Sequence, residues 1–222
     1  AAAVDDLLAD SIVPLGVNGG MLSFFSEKLN DIEQERANIP PRTQEHRRIR
    51  SRAMRELFDP PPKVSLFGNL AVTSGIKLQD GGGSPTSIDG ERNPVQIIVE
   101  FVGSADYDAK RNEQVEESRQ NSAKATVFLL GRRVAEADEK IAEIYRCERI
   151  VELHRTDPDQ EIREYCNSQT ERAAGLLQEL RRQFKRSLSQ GSFVFSGSVS
   201  AVDSLDSELL AAAKKQIQVT AE

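Results

Sequence analysis

The residues of this chain best suited to chemistry are two cysteines, two histidines and one run of arginines. Cys147 and Cys166 flank the turn signal Thr156-Asp157-Pro158-Asp159-Gln160, each roughly ten residues from it. An antiparallel helical hairpin reversing there would set the two thiols at nearly the same height. They read as buried thiols, with a disulfide, or a metal site that recruits His154, as the competing readings. His46 lies elsewhere among arginines, and no Ser or Cys stands beside either histidine, so a nucleophile and general-base pair cannot be assembled. The basic cluster is Arg42, Arg47, Arg48, Arg50, Arg52 and Arg55, offset by Glu45 and Glu56. The planar guanidinium fork suits phosphate, which makes Arg47, Arg48, Arg50, Arg52 and Arg55 the candidate nucleic-acid contacts. Against that stands a solvated helix face paired with Glu27, Asp31, Glu33 or Glu35, with no aromatic residues interleaved. Arg181, Arg182, Lys185 and Arg186 need no partner, since cations complement the C-terminal end of a helix.

The run Asp80-Gly81-Gly82-Gly83-Ser84-Pro85 invites a phosphate-loop reading because glycine backbones can bring N–H groups to an anion. A phosphate loop of the P-loop kind also needs Gly-Lys-Ser/Thr opening a helix after a strand. This run has no Lys and continues through Asp89 to Pro94, so it reads as a mobile linker. Gly103 follows a strand-like run alone, and Asp106 and Asp108 would repel a pyrophosphate. No nucleotide, metal or other cofactor is expected in this chain, and no set of residues marks it as an enzyme.

The elements that would position these residues follow from composition and periodicity. Of 222 residues 38% are hydrophobic and 29% charged, with no Trp, which favours helices with wide solvated faces. A formal net charge of -6 gives no basic field, so any nucleic-acid contact has to be a local patch. The longest apolar runs, 95–102 and 125–130, fall far short of the roughly 18 residues a membrane-spanning helix needs. No leader-like succession opens the chain and it begins at Ala1, so a fragment of a longer protein is one expectation. Two cysteines fit a reducing, cytoplasmic setting.

Helical spacing of Val4, Leu7, Leu8, Ile12 and Val13 predicts a short helix, and Asn18-Gly19-Gly20 a turn before a strand at 21–25. Helices are expected over 26–39 and 42–58, the second closed by Pro60-Pro61-Pro62. Strands are expected over 64–70, 71–78, 95–102 and 125–130, with a mobile loop at 80–94 and a helix at 108–121. If the last two strands are parallel, helices must cover at least one face of the sheet. From 134 to 188 the pattern is a helical hairpin. Asp157 is expected to cap the second helix, Pro158 to open it and Gln160 to close a capping box. Ile141, Ile144, Val151, Ile162, Ala173, Leu176 and Leu180 form a coiled-coil-like seam. At about 1.5 Å per residue the second helix spans roughly 45 Å, and its tip is expected to project into solvent. Phe193-Val194-Phe195 reads as a short strand, followed by a helix capped by Asp203. The fold class is therefore α+β. Its expected parts are a helical segment (1–59), a small α/β domain (63–131), the hairpin (132–189) and a strand with a docking helix (190–222).

Read in order, these pieces resemble the region downstream of the ATPase core in the large P-loop ATPases of bacteriophage-exclusion (BREX) systems and their phage-growth-limitation relatives. The resemblance spans most of the chain. It rests on Gly20-Met21-Leu22-Ser23-Phe24-Phe25-Ser26-Glu27, similar to the tail of a winged-helix segment, and on Arg52-Ala53-Met54-Arg55-Glu56-Leu57-Phe58. It rests also on the strands flanking Phe67-Gly68-Asn69 and on the order of strand, polar helix, Ala125-Thr126-Val127-Phe128-Leu129-Leu130, hairpin and Gly191-Ser192-Phe193-Val194-Phe195-Ser196-Gly197. The resemblance implies a non-catalytic coupling and partner-binding part of an antiviral ATPase whose ATP site lies upstream of Ala1. Its implied partners are other defence subunits, neighbouring protomers and, through the arginine helix, DNA. The competing class is a freestanding adaptor that self-associates through its hairpin.

Overall fold

The structure, a computed structural model, describes residues 15–18, 21–24, 26–61, 63–66, 70–81, 83–120 and 125–202. The helices expected over 4–13 and after Asp203 lie outside them. Five helices and nine strands are described: β1 (Leu15–Asn18), β2 (Met21–Phe24), α1 (Glu27–Ala37), α2 (Thr43–Leu57), β3 (Lys63–Leu66), β4 (Leu70–Gln79) and β5 (Thr86–Asp89). They continue with β6 (Val95–Val102), α3 (Tyr107–Ser118), β7 (Thr126–Arg132), α4 (Ala137–His154), α5 (Gln160–Ser189), β8 (Ser192–Phe195) and β9 (Ser198–Ala201). The class is α+β. The chain divides into two compact units, residues 1–49 with 138–178 and residues 50–137 with 179–222. These units do not follow the four expected segments, because α2 and α5 each contribute residues to both.

In the sheet unit the strand order is β3-β4-β6-β7-β8-β9, with β5 also paired to β4. β4, β6 and β7 are parallel, so Leu78, Val99 and Leu129 stand in one row across the sheet. The Val-Gln-Ile-Ile-Val-Glu-Phe-Val sequence of β6 is rich in β-branched residues, as a central parallel strand with both faces covered requires. On one face Val102, Phe128, Leu130 and Val194 pack with Tyr107 of α3, joined by Ile98 and Val115. Residues of the opposite parity point to the other face, where the Phe101 ring lies 4.8 Å from that of Phe184 in α5. Helices thus cover both faces.

Two corrections to the sequence reading fall in this unit. The expected loop at 80–94 contains β5, antiparallel to β4, with Ile88 buried. The glycine-flanked aromatic strand continues into a hairpin, β8 pairing antiparallel with β9. Its two-residue turn puts Ser196 at φ 47° and Gly197 at φ 77°, the left-handed backbone that matches strand twist. A side chain at Gly191 would meet the Leu130 carbonyl oxygen at 1.9 Å, so this glycine lets β8 leave α5 directly against β7.

The helical unit contains α1, the first part of α2, α4 from Asp138, and α5 up to Gln178, together with the antiparallel hairpin β1–β2. Ser26 caps α1, its hydroxyl accepting from the Leu29 amide at 3.2 Å. Leu29 and Ile32 of α1 pack with Ile150, Ile162, Tyr165 and Cys166, so the two-helix seam becomes a three-helix core. The hairpin turn is capped differently from expectation. The Asp157 carboxylate accepts from the Asp159 amide, and the Asp159 carboxylate accepts from the Glu161 amide, each at 2.9 Å. Asp159 is therefore the N-cap, Pro158 stands before it, and Gln160 bonds forward to Glu164. At the tip, where Arg155, Thr156, Pro158 and Gln160 are exposed, Lys28 of α1 reaches Asp157 at 3.2 Å and Asp159 at 3.7 Å.

Candidate functional site

The chemistry-bearing residues of the helical unit gather in a polar network. Arg36, with its side chain 9% exposed, lies 2.6 Å from Glu33 and 2.5 Å from Glu143. Glu143 also meets Arg172 at 2.9 Å and Arg146 at 3.5 Å. Burial alone would raise the Glu143 pKa, but Arg36 and Arg172 outweigh it and hold the carboxyl below the ordinary range. The Tyr165 hydroxyl donates to Glu33. Burial and the Glu33 carboxylate both push this phenol upward, so it stays protonated.

Cys147 and Cys166 are free thiols with different surroundings. The Cys147 thiol donates to the Gln169 side-chain oxygen at 3.2 Å, while Cys166 packs in the apolar cluster. Burial, reinforced by Glu143, pushes Cys147 up to about 11, and burial followed by Asp157 raises Cys166. Protonated, buried thiols are poor nucleophiles and poor metal ligands. His154 pairs with Glu35 at 2.8 Å rather than with either cysteine. Among the described residues no group of three His, Cys, Asp or Glu side chains is placed to hold a metal.

Of the seam residues, Ile141, Ile144, Ile162, Ala173 and Leu180 are buried, and Val151 and Leu176 are half-buried. Leu180 belongs to the sheet unit and the others to the helical unit. Val151 packs against the cluster that α1 shares with the hairpin.

The arginines of α2 do not act as one patch. Arg50 meets Asp80 at 2.6 Å, and Arg55 donates to the Ile88 carbonyl at 3.0 Å from Nη2 and 3.3 Å from Nε. Both anchor the segment that carries β5. Arg48 meets Glu45 at 2.9 Å and Glu148 at 3.8 Å. Arg52 is half-buried and Arg47 exposed. The acidic partners are thus Glu45, Glu148 and Asp80, in place of the residues of α1 that sequence proximity suggested. Those are engaged elsewhere: Glu33 with Arg36, Glu35 with His154.

The carbonyls of the glycine run, among its described residues, are tied to Gln79. Gln79 donates its side-chain amide to the Gly83 carbonyl at 2.7 Å and also to the Gly81 carbonyl.

Sequence reading did not single out a polar cleft of about 500 Å³ between the start of α2 and one face of α4. Arg42, just before α2, and Glu45 and Arg48 within it line one side, and Tyr145, Glu148, Arg149 and Glu152 of α4 with Arg155, just after it, the other. The α4 residues recur at three- and four-residue spacing, which places them on one helix face. That spacing was a signal in the sequence, but nothing local pairs it with the start of α2 about a hundred residues earlier.

No family model matches the chain, and no curated protein or solved structure matches it either.

Proposed function

We propose that this chain is a non-catalytic coupling and partner-binding region, placed by its resemblance in a P-loop ATPase of phage defence. The observation that carries the non-catalytic reading is the use of its reactive side chains in packing. Cys147 bonds to Gln169, Tyr165 to Glu33 and Arg36 to Glu143, leaving none of these groups facing an open site with a base or nucleophile beside it. The polar faces of the helices, by contrast, carry dense and incompletely neutralised charge, which suits recognition of a partner.

Contact with DNA through α2 is the narrower part of this proposal. With Arg50 and Arg55 held by Asp80 and Ile88, and Arg48 paired with Glu45 and Glu148, that role falls to the exposed Arg47. The buried seam residues favour a hairpin that completes its own core over one that self-associates through that seam. In the proposed setting the protein is cytoplasmic.

The test is the reading frame upstream of the codon for Ala1, together with the intact mass of the native protein. The proposal expects a long continuation carrying Gly-x-x-x-x-Gly-Lys-Ser/Thr after a strand. A start codon near Ala1 and a native mass near 24.6 kDa would overturn it.

A further inference from the structure

We infer that the cleft between α2 and α4 in the helical unit binds the phosphate group of a small organic phosphate. Four arginines line it: Arg48 of α2 and Arg42 just before that helix, Arg149 of α4 and Arg155 just after that one. Arg149 is neutralised by Glu152 at 2.6 Å, and Arg48 by Glu45 and Glu148. Arg42 and Arg155 have no ion-pair partner among the described residues, and both are exposed. The lining therefore keeps an excess of positive charge in a chain whose net charge is -6. Two un-neutralised forks facing one cavity supply the paired, planar donors that phosphate oxygens accept in bidentate fashion.

The start of α2 adds to this. Arg42 is its N-terminal boundary residue, its carbonyl accepting from the His46 amide at 3.0 Å, and Pro40 and Pro41 fix the approach. The positive dipole end of a helix 15 residues long is thus near the cleft edge that Arg42 and Glu45 line.

Size and sign narrow the ligand. A volume of about 500 Å³ falls within the range of small-molecule sites. Glu45, Glu148 and Glu152 would repel the continuous backbone charge of DNA or RNA. They can instead accept hydrogen bonds from hydroxyl or amino groups of a compact ligand. The buried Tyr145 supplies the aromatic part of the lining. Binding of this kind is independent of the ATPase setting.

The experiment is calorimetric titration of the full chain with inorganic phosphate and with adenosine monophosphate. Both should bind saturably at one site. The double variant Arg42→Gln/Arg155→Gln should weaken binding by about tenfold or more, as expected for losing charge-assisted hydrogen bonds. Arg182→Gln, exposed on α5 and outside the lining, should change it by less than about twofold. Circular dichroism should match the parent in both variants, since these arginines are exposed. Absence of saturable binding by either probe would overturn the inference, as would equal losses in Arg182→Gln and the double variant. Displacement of bound phosphate by a glutamate-rich peptide or duplex DNA at lower concentration than by adenosine monophosphate would also overturn it, because the cleft would then read a macromolecule.

Discussion

The helical unit holds charge inside, whereas the centre of the sheet unit is built from apolar rows. Arg36, Glu143, Gln169 and Tyr165 lie within or beside the core where α1 meets the hairpin, and the pairs Arg36–Glu143 and Tyr165–Glu33 join residues more than a hundred positions apart. In the sheet unit, Ile97, Val99, Val127 and Leu129 are fully buried with only apolar side chains on the same strand face. Apolar packing tolerates many neighbours, but a buried cation is stable only beside its own carboxylates. The first kind of core sets how strongly a unit holds together. The second also selects which helix packs where.

Truncation in the apolar core should give the largest effect. Leu129→Ala removes a fully buried side chain between β6 and β8 and should cost about 3 to 5 kcal/mol, measured by urea unfolding. Arg36→Met should cost about 3 kcal/mol, the low end for breaking a buried ion pair, because Glu143 keeps Arg172 and Arg146. If the two losses appear in the same segments by hydrogen exchange, the contrast between the cores fails.

Acid sharpens the comparison because it should act on the two units with opposite sign. Glu143 has its folded pKa below the ordinary 4.5, burial being outweighed by Arg36 and Arg172. Its stabilisation is present above the unfolded value and is lost as pH falls through the folded one. Glu100 on β6 goes the other way: burial raises its pKa against Lys110 and the Gln114 amide, which donates to it at 2.8 Å. Its ionisation therefore costs stability as pH rises from 4.5 through the folded value. Hydrogen exchange on acidification should show α1 and α4 losing protection first, with Glu143→Gln flattening that loss. Glu100→Gln should modestly stabilise the sheet unit at neutral pH, and a destabilisation would contradict an upward shift at Glu100. The smallest effect concerns the hairpin turn: Asp159→Ala removes the N-cap of α5 and should cost about 1 kcal/mol, with the equivalent change at Asp157 costing less.

Elements with a strong local signature were legible in the sequence. The β-branched run of β6, the turn residues before α5 and the prolines after α2 placed those elements within a few residues. β5 was not, since only Ile88 among its four residues is buried and its neighbours are turn formers. β9 was missed for a similar reason, having four exposed residues and only one, Val199, with strong strand preference. Asp157 and Asp159 both suit an N-cap, and only the backbone path decides which carboxylate meets the first amides of α5. The long-range pairs Arg36–Glu143 and Tyr165–Glu33 have no local pattern at all. The cleft shows the same limit, for each helix presents an ordinary charged face and only their approach leaves Arg42 and Arg155 facing one cavity.

The most direct test of two separately built cores is hydrogen exchange, resolved by segment, on Arg36→Met at neutral pH. Protection should fall in α1, α4 and residues 160–178 of α5, while β4, β6 and β7 keep the parent's protection. An equal loss across β4, β6 and β7, or no loss in α1, would contradict it.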